Sequence, residues 1–153
     1  MNIWQQLVSN HILGDILVAW LLAQFFKVPI YYLKTHKWHW ALWFSVGGMP
    51  SSHSALVTSA ALSVGINEGF NTSVFAVALT LAMVVVYDSM GIRRQAGFHA
   101  QQINLMVEEL FNGHPISDRR LKEVLGHTPR EVVGGVLLGL LIPILSYLYR
   151  SIP

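Results

Sequence analysis

Cysteine is missing from all 153 residues, which excludes disulfide scaffolds, thiolate metal sites and cysteine nucleophiles. Charge is scarce too. Asp, Glu, Lys and Arg make up 12% of the chain, against roughly 25% in ordinary soluble domains. A free-standing globule in water is therefore disfavoured. Disorder is excluded by the 53% of apolar types, because disordered chains are poor in them. A formal net charge of +2 offers nothing that calls for nucleic acid. The length suits one domain and hardly more, so residues 1–153 are read as a single unit with a polar arm at about 93–130. With a mean hydropathy of +0.47, the membrane is the expected solvent.

A bilayer core of about 30 Å needs roughly 20 apolar residues as helix. Four segments are read as spans: about Ile3 or His11 to Phe26, Ser54 to Ile66, Ser73 to Tyr87, and Val132 to Tyr149. The second is short for a crossing and follows the aromatic cluster Trp38, Trp40, Trp43 and Phe44, suited to the headgroup level. The first has neither a basic flank before it nor a small-residue cleavage site after it, unlike a signal peptide. The fourth holds Gly135 and Gly139 four apart, spacing that permits close helix contact, and Pro143, which should bend it. Between the third and fourth spans, Gln95 to Phe111 reads as an amphipathic helix with Ile103, Met106, Val107 and Leu110 at helical spacing. Asn112-Gly113 marks a turn, and Ser117 or Asp118 would cap a second short helix through Leu125. The expected fold is an all-α integral membrane helical bundle of about four transmembrane helices, with a short amphipathic arm between the last two.

Nine of the ten basic residues (Lys27, Lys34, Lys37, Arg93, Arg94, Arg119, Arg120, Lys122 and Arg130) flank the same ends of these spans. By the positive-inside rule those ends face the cytoplasm and both termini face outward. Three unusual segments then share that face: Gly47-Gly48-Met49-Pro50-Ser51-Ser52-His53-Ser54, Asp88-Ser89-Met90-Gly91-Ile92-Arg93-Arg94, and Gly126-His127-Thr128-Pro129-Arg130-Glu131. Two of them open helices, where free N–H groups and the helix dipole favour an anion. Arginine matches phosphate in a two-pronged geometry, and His53 and His127 can exchange protons near neutral pH. Taken singly, each segment also reads as a helix cap, a turn or a topology signal. Together they suggest phosphate-ester chemistry at a bilayer surface.

At these residues the chain resembles the phosphatidic acid phosphatase type 2 and vanadium haloperoxidase superfamily. Pro50-Ser51-Ser52-His53 is similar to its Pro-Ser-Gly-His motif. His127 through Glu131, followed by Val132-Val133-Gly134-Gly135, is similar to its His-x-x-x-Asp motif and the Val- and Gly-rich helix behind it. Together with Tyr-Asp-Ser-Met-Gly-Ile-Arg-Arg, these segments resemble the small divergent branch of that superfamily. The resemblance implies that His127 is the nucleophile taking the phosphoryl group, Glu131 the carboxylate orienting it, and His53 the acid that protonates the leaving alkoxide. It also implies that Ser51, Ser52 and Arg93 hold phosphate oxygens. Arg94 arrives with Arg93, while Lys27 and Lys34 fit the spacing of the family's first basic motif.

This sequence departs from the pattern in several places. Lys34 and Thr35 stand for Arg-Pro, Ser52 for Gly and Glu131 for Asp, and Arg93 is separated from His127 by the whole arm. His99 keeps the family's six-residue step from Arg93, but Ile103 rather than a carboxylate stands four residues on. His127 is therefore preferred to His99. The expected activity is a membrane lipid phosphatase, a hydrolase of phosphoric ester bonds acting on phosphatidylglycerol phosphate or phosphatidic acid. No metal ligand set is assigned and no cofactor is required, although Mg is compatible. Alternatives are an undecaprenyl pyrophosphate phosphatase, a vanadate peroxidase, or a non-catalytic lipid-phosphate binding or transport protein. Membrane lipids and a homo-oligomer complete the expected partners. Asp15, a charge inside the first span, is expected to pair with His11 or a site arginine, and Asp88 to hold Arg93 or Arg94. Asn104, Glu108 and Glu109 could bind a divalent ion, and more simply form a solvated face.

Overall fold

A computed structural model describes residues 2–45, 47–111 and 127–152, the side chains at 92–94, 96, 108, 109 and 111 excepted. The helices are α1 (Ile3–Val8), α2 (His11–Thr35), α3 (Ser52–Glu68), α4 (Ser73–Met90), α5 (Ile92–Phe111) and α6 (Pro129–Ser151), with a short 3-10 turn at Trp40–Phe44. Local chemistry sets where most of them begin. The side chains of Asn2, Asn10, Ser51, Thr72 and Thr128 each accept a backbone N–H from the first turn that follows, which satisfies donors the helix cannot. The turn at Asn112-Gly113 and the second short helix through Leu125 lie outside the described residues.

Three helices, α2, α4 and α6, are long and apolar enough to cross a membrane. α3, read as the short second span, has 17 residues, about 25 Å of helix, and packs at the centre against α2, α4 and α6. The first span differs from expectation at its end, for α2 continues beyond Phe26 to Thr35 through Pro29. Proline lacks the N–H that would meet the carbonyl four residues back. Here the Trp43 indole donates to that carbonyl, Phe25 O, at 3.3 Å, so the helix carries on. Lys27 and Lys34 consequently stand on the last turns of α2 instead of in a loop after it.

The bundle is inside-out relative to a soluble protein. Most of its buried positions are small or polar, among them Ala19 and Ala23 of α2, Ala55, Ser59 and Ser63 of α3, and Gly135 and Gly139 of α6. Leu17, Leu21, Val77, Val84, Leu137 and Leu145 are exposed. Lipid solvates those side chains as well as any core would, so helix association rests on close packing instead. A Cβ on Gly139 would stand 2.6 Å from the Ala55 carbonyl oxygen and 2.9 Å from Thr58 Cβ, and one on Gly135 would run into the Ser51 carbonyl. The Gly-x-x-x-Gly pair thus lets α6 lie directly on the α3 backbone.

A polar cluster ties the other end of the bundle. The Ser63 hydroxyl donates to Asp15 Oδ2 at 2.6 Å. Arg150 donates to Asn67 Oδ1 at 3.1 Å and sets Nη2 3.9 Å from the same Asp15 oxygen. Asn67 in turn donates to the Ser63 carbonyl at 2.7 Å. Asp15 is therefore satisfied by α3 and α6, correcting the expected pairing with His11 or a site arginine. The physical reason is direction, because α2 carries Asp15 at the end away from Lys27 and Lys34, next to the C-terminal turns of α3 and α6.

Two substitutions test these contacts. Gly139→Ala should destabilise the protein by about 1–3 kcal/mol through overpacking, whereas Gly14→Ala, with nothing within 4 Å of the added carbon, should be neutral or slightly stabilising in thermal unfolding in detergent. Asp15→Ala removes the acceptor of the Ser63 hydroxyl and the carboxylate facing Arg150 and should cost about 1–3 kcal/mol in the same assay.

Candidate active site

The N-termini of α3 and α6 and the C-terminus of α4 meet at one end of the bundle, joined by backbone hydrogen bonds. Ser51 N–H donates to Glu131 O at 2.9 Å, and His127 N–H donates to Ser89 O at 3.2 Å. These bonds set the two family-like segments against one another although 74 residues of chain separate His53 from Thr128.

His127 is 6% exposed, and its Nδ1 lies 3.4 Å from Glu131 Oε2. The same carboxylate oxygen accepts the Thr128 N–H at 3.0 Å, while Thr128 Oγ1 accepts the Glu131 N–H. This is a capping box, and it fixes Glu131 from two sides. With Nδ1 turned to the carboxylate, Nε2 is the nitrogen left to face a substrate. The ring of His53, in the first turn of α3, sits 6.0 Å centre to centre from that of His127, tilted by 48°.

Cations line the same end. Lys27 is 1% exposed and donates from Nζ to Ser45 O at 2.8 Å. The loop that follows folds over its stem, with Gly48 at φ 97° and next to the Lys27 methylenes, a left-handed conformation that suits glycine. Lys34 Nζ reaches Met49 Sδ at 3.6 Å. Both lysines are close enough to Glu131 to interact with its charge, so two ammonium groups, one carboxylate and two imidazoles share a partly desolvated space. Fields between such groups are far stronger there than in water.

The structure therefore brings together His127, His53, Glu131, Lys27, Lys34, Ser51 and Ser52. Ser51 is fully buried and its hydroxyl is engaged, capping α3 through the Ser54 N–H and accepting from the Ser54 hydroxyl at 3.0 Å. It works as scaffold in this arrangement, while Ser52 is buried at the first helical position. The side chains of Arg93 and Arg94 lie outside the described residues, and with them the expected pairing to Asp88; so do those of Glu108 and Glu109. His99 is exposed on α5, a helix that packs against α4 alone, and is not part of this cluster. Among the described residues no group of three or more His, Asp or Glu is placed to hold a metal ion.

Sequence reasoning missed the backbone partners, Ser45 O for Lys27 and Ser89 O for His127, for which no side-chain signal exists. It also missed the second duty of Glu131. There a signal was available, since Thr128-x-x-Glu131 has the spacing of a capping box. The two duties separate by substitution. Glu131→Gln retains a capping acceptor and should leave thermal stability within about 0.5 kcal/mol, whereas Glu131→Ala should lose about 1 kcal/mol of cap energy, both read from unfolding in detergent.

Comparison with known proteins agrees with this arrangement of segments. Residues 8–142 match the Divergent PAP2 family. The chain is 38% identical over 157 residues to the uncharacterized membrane protein YuiD of Bacillus subtilis (strain 168), an alignment covering 94% of this chain and 99% of that protein. No solved structure matches. Bounded by its three membrane-length helices and by the motif segments that meet at their ends, the chain belongs to the Divergent PAP2 family of membrane proteins.

Proposed function

We propose that the protein is a membrane-embedded phosphatase that hydrolyses a lipid phosphate monoester, such as phosphatidylglycerol phosphate or phosphatidic acid, through a phosphohistidine on His127. The observation that carries this reading is the His127–Glu131 pair at 3.4 Å with the His53 ring 6.0 Å from His127: a nucleophile with its orienting base, and a second proton-transfer group within the span of one phosphoryl group.

The residues divide the work as follows. Glu131 accepts the Nδ1 proton of His127 in a hydrogen bond, which raises the electron density at Nε2 and supports the positive charge that develops on the ring. Nε2 attacks phosphorus and the P–O bond to the lipid breaks. His53 supplies the proton that the leaving alkoxide takes up. Water then attacks the phosphohistidine, giving one proton back to His53 and releasing inorganic phosphate and free His127. Lys27, Lys34, Arg93 and the N-terminus of α3 hold the phosphoryl oxygens, offering fixed positive charge where negative charge grows in the transition state. No metal is needed for this balance. The basic residues at this end of the helices favour a cytoplasm-facing site, which suits a lipid phosphate made at the inner leaflet.

Purified protein in lipid micelles, offered phosphatidylglycerol phosphate, phosphatidic acid and undecaprenyl pyrophosphate in parallel, should release inorganic phosphate from one of the monoesters with chelator present. His127→Ala should abolish release, and His53→Ala should reduce it by about 10²–10⁴-fold, both proteins keeping the thermal stability of the parent. Faster turnover of the pyrophosphate would replace the monoester reading. Loss of turnover on chelation would overturn the metal-free route, and no release from any substrate would favour a binding or transport role.

A further inference from the structure

α5 is a helix without a core. It runs for 20 residues, about 30 Å, yet among the described residues the only element it touches is α4. One of its faces is nonetheless apolar: Ile103, Met106, Val107 and Leu110 fall within an arc of about 100° at 100° per residue. Ile103, Met106, Val107 and Leu110 are all exposed. Gln101 and Asn104 occupy the opposite half of the helix, where Phe98 and Leu105 stand apart from the stripe. Among the described residues nothing covers the stripe.

Two observations identify what covers it. First, α5 begins at Ile92, one residue after α4, a membrane-spanning helix, ends at Met90. The covalent link is too short to carry the start of α5 away from the bilayer surface. Secondly, that end of the bundle carries its own marker of the interface. Tyr32, Trp38, Trp40 and Trp43 form a chain of ring contacts, with Trp38 stacked 4.3 Å from Tyr32 and 5.1 Å from Trp40, and such aromatic clusters sit at headgroup level.

We infer that α5 is a membrane-surface helix, lying in the leaflet that bounds the candidate active site with Ile103, Met106, Val107 and Leu110 dipping into the boundary between headgroups and acyl chains. A one-sided helix of low overall hydrophobicity lies in the interface plane in this way. The helix thereby moors the chain that leads to His127 at the lipid surface. This inference depends on the membrane assignment and not on the phosphatase reading.

The absence of cysteine makes the test direct. Single cysteines replacing Ile103, Met106 or Leu110, and separately Gln101 or Glu108, would be spin-labelled in full-length protein reconstituted in phosphatidylcholine–phosphatidylglycerol nanodiscs. Collision rates with oxygen, which concentrates in lipid, and with a water-soluble nickel chelate would then be compared. The ratio of oxygen to nickel collisions should be high at 103, 106 and 110 and low at 101 and 108, oscillating with the helical period. High nickel access at every position would mean that the helix stands in water and would overturn the inference. Protection from both reagents at the stripe, with spin–spin broadening, would overturn it in favour of pairing with a second copy. None of these outcomes bears on phosphate release, so the catalytic proposal stands or falls separately.

Discussion

The close approach of α6 to the backbone of α3 is the constraint on which the rest depends. Hydrophobic burial gives little drive for helices to associate within lipid, and this chain keeps its large apolar side chains on the outside. What remains is contact between backbones, possible only because Gly135 and Gly139 present no side chain to the Ser51 and Ala55 carbonyls. That contact also delivers the site. With the two helices so close, Ser51 N–H reaches Glu131 O, and this bond links the segment holding His53 to the segment holding His127. Packing and chemistry are here the same few atoms.

Polar groups then pin the bundle at both ends. On one side Lys27 is buried and directed to the Ser45 carbonyl. On the other, Asp15, Ser63, Asn67 and Arg150 join α2, α3 and α6. Asp15, Ala19, Ala23 and Lys27 recur every fourth residue along α2, so one stripe carries an acid at one end, a base at the other and two methyl groups between. Each charge is met by a polar partner, and the middle of the stripe is smooth enough for α3 to lie against it. In a low-dielectric medium an unpaired charge is costly, so the ends of the stripe specify how deep and how rotated α2 must be.

Much of this was legible beforehand, for identifiable reasons. Apolar runs gave the three membrane-length helices because a bilayer demands length and composition above all, and the motif residues at 50–53 and 127–131 marked their own helix starts through Ser51 and Thr128. The end of the first span was not legible. Composition says that Lys27 and Pro29 should stop a helix, and only the Trp43 indole, 14 residues later in the chain, repairs the gap left at Phe25. Asp15 was misjudged for a similar reason, since its partners lie on α3 and α6, and no local pattern announces a contact between residues 48 or 135 positions apart. The two contacts of Glu131 become apparent only in three dimensions, where one carboxylate oxygen serves both the helix cap and His127.

The composition of α3 has a consequence for how the protein is made. Five hydroxyl residues, a histidine, Asn67 and Glu68 lie among its 17 positions, and several of them are buried only because three neighbours surround them. A nascent segment of this polarity partitions weakly from the translocation channel into lipid. The turn Gly69–Thr72 joins it at once to α4, whose hydropathy of 1.9 exceeds that of α2. α3 and α4 are therefore suited to leave the channel as one hairpin, the second limb drawing the first into the bilayer. The helix that carries His53 then completes its burial only when α6, which follows α4 and α5 in the chain, packs against it.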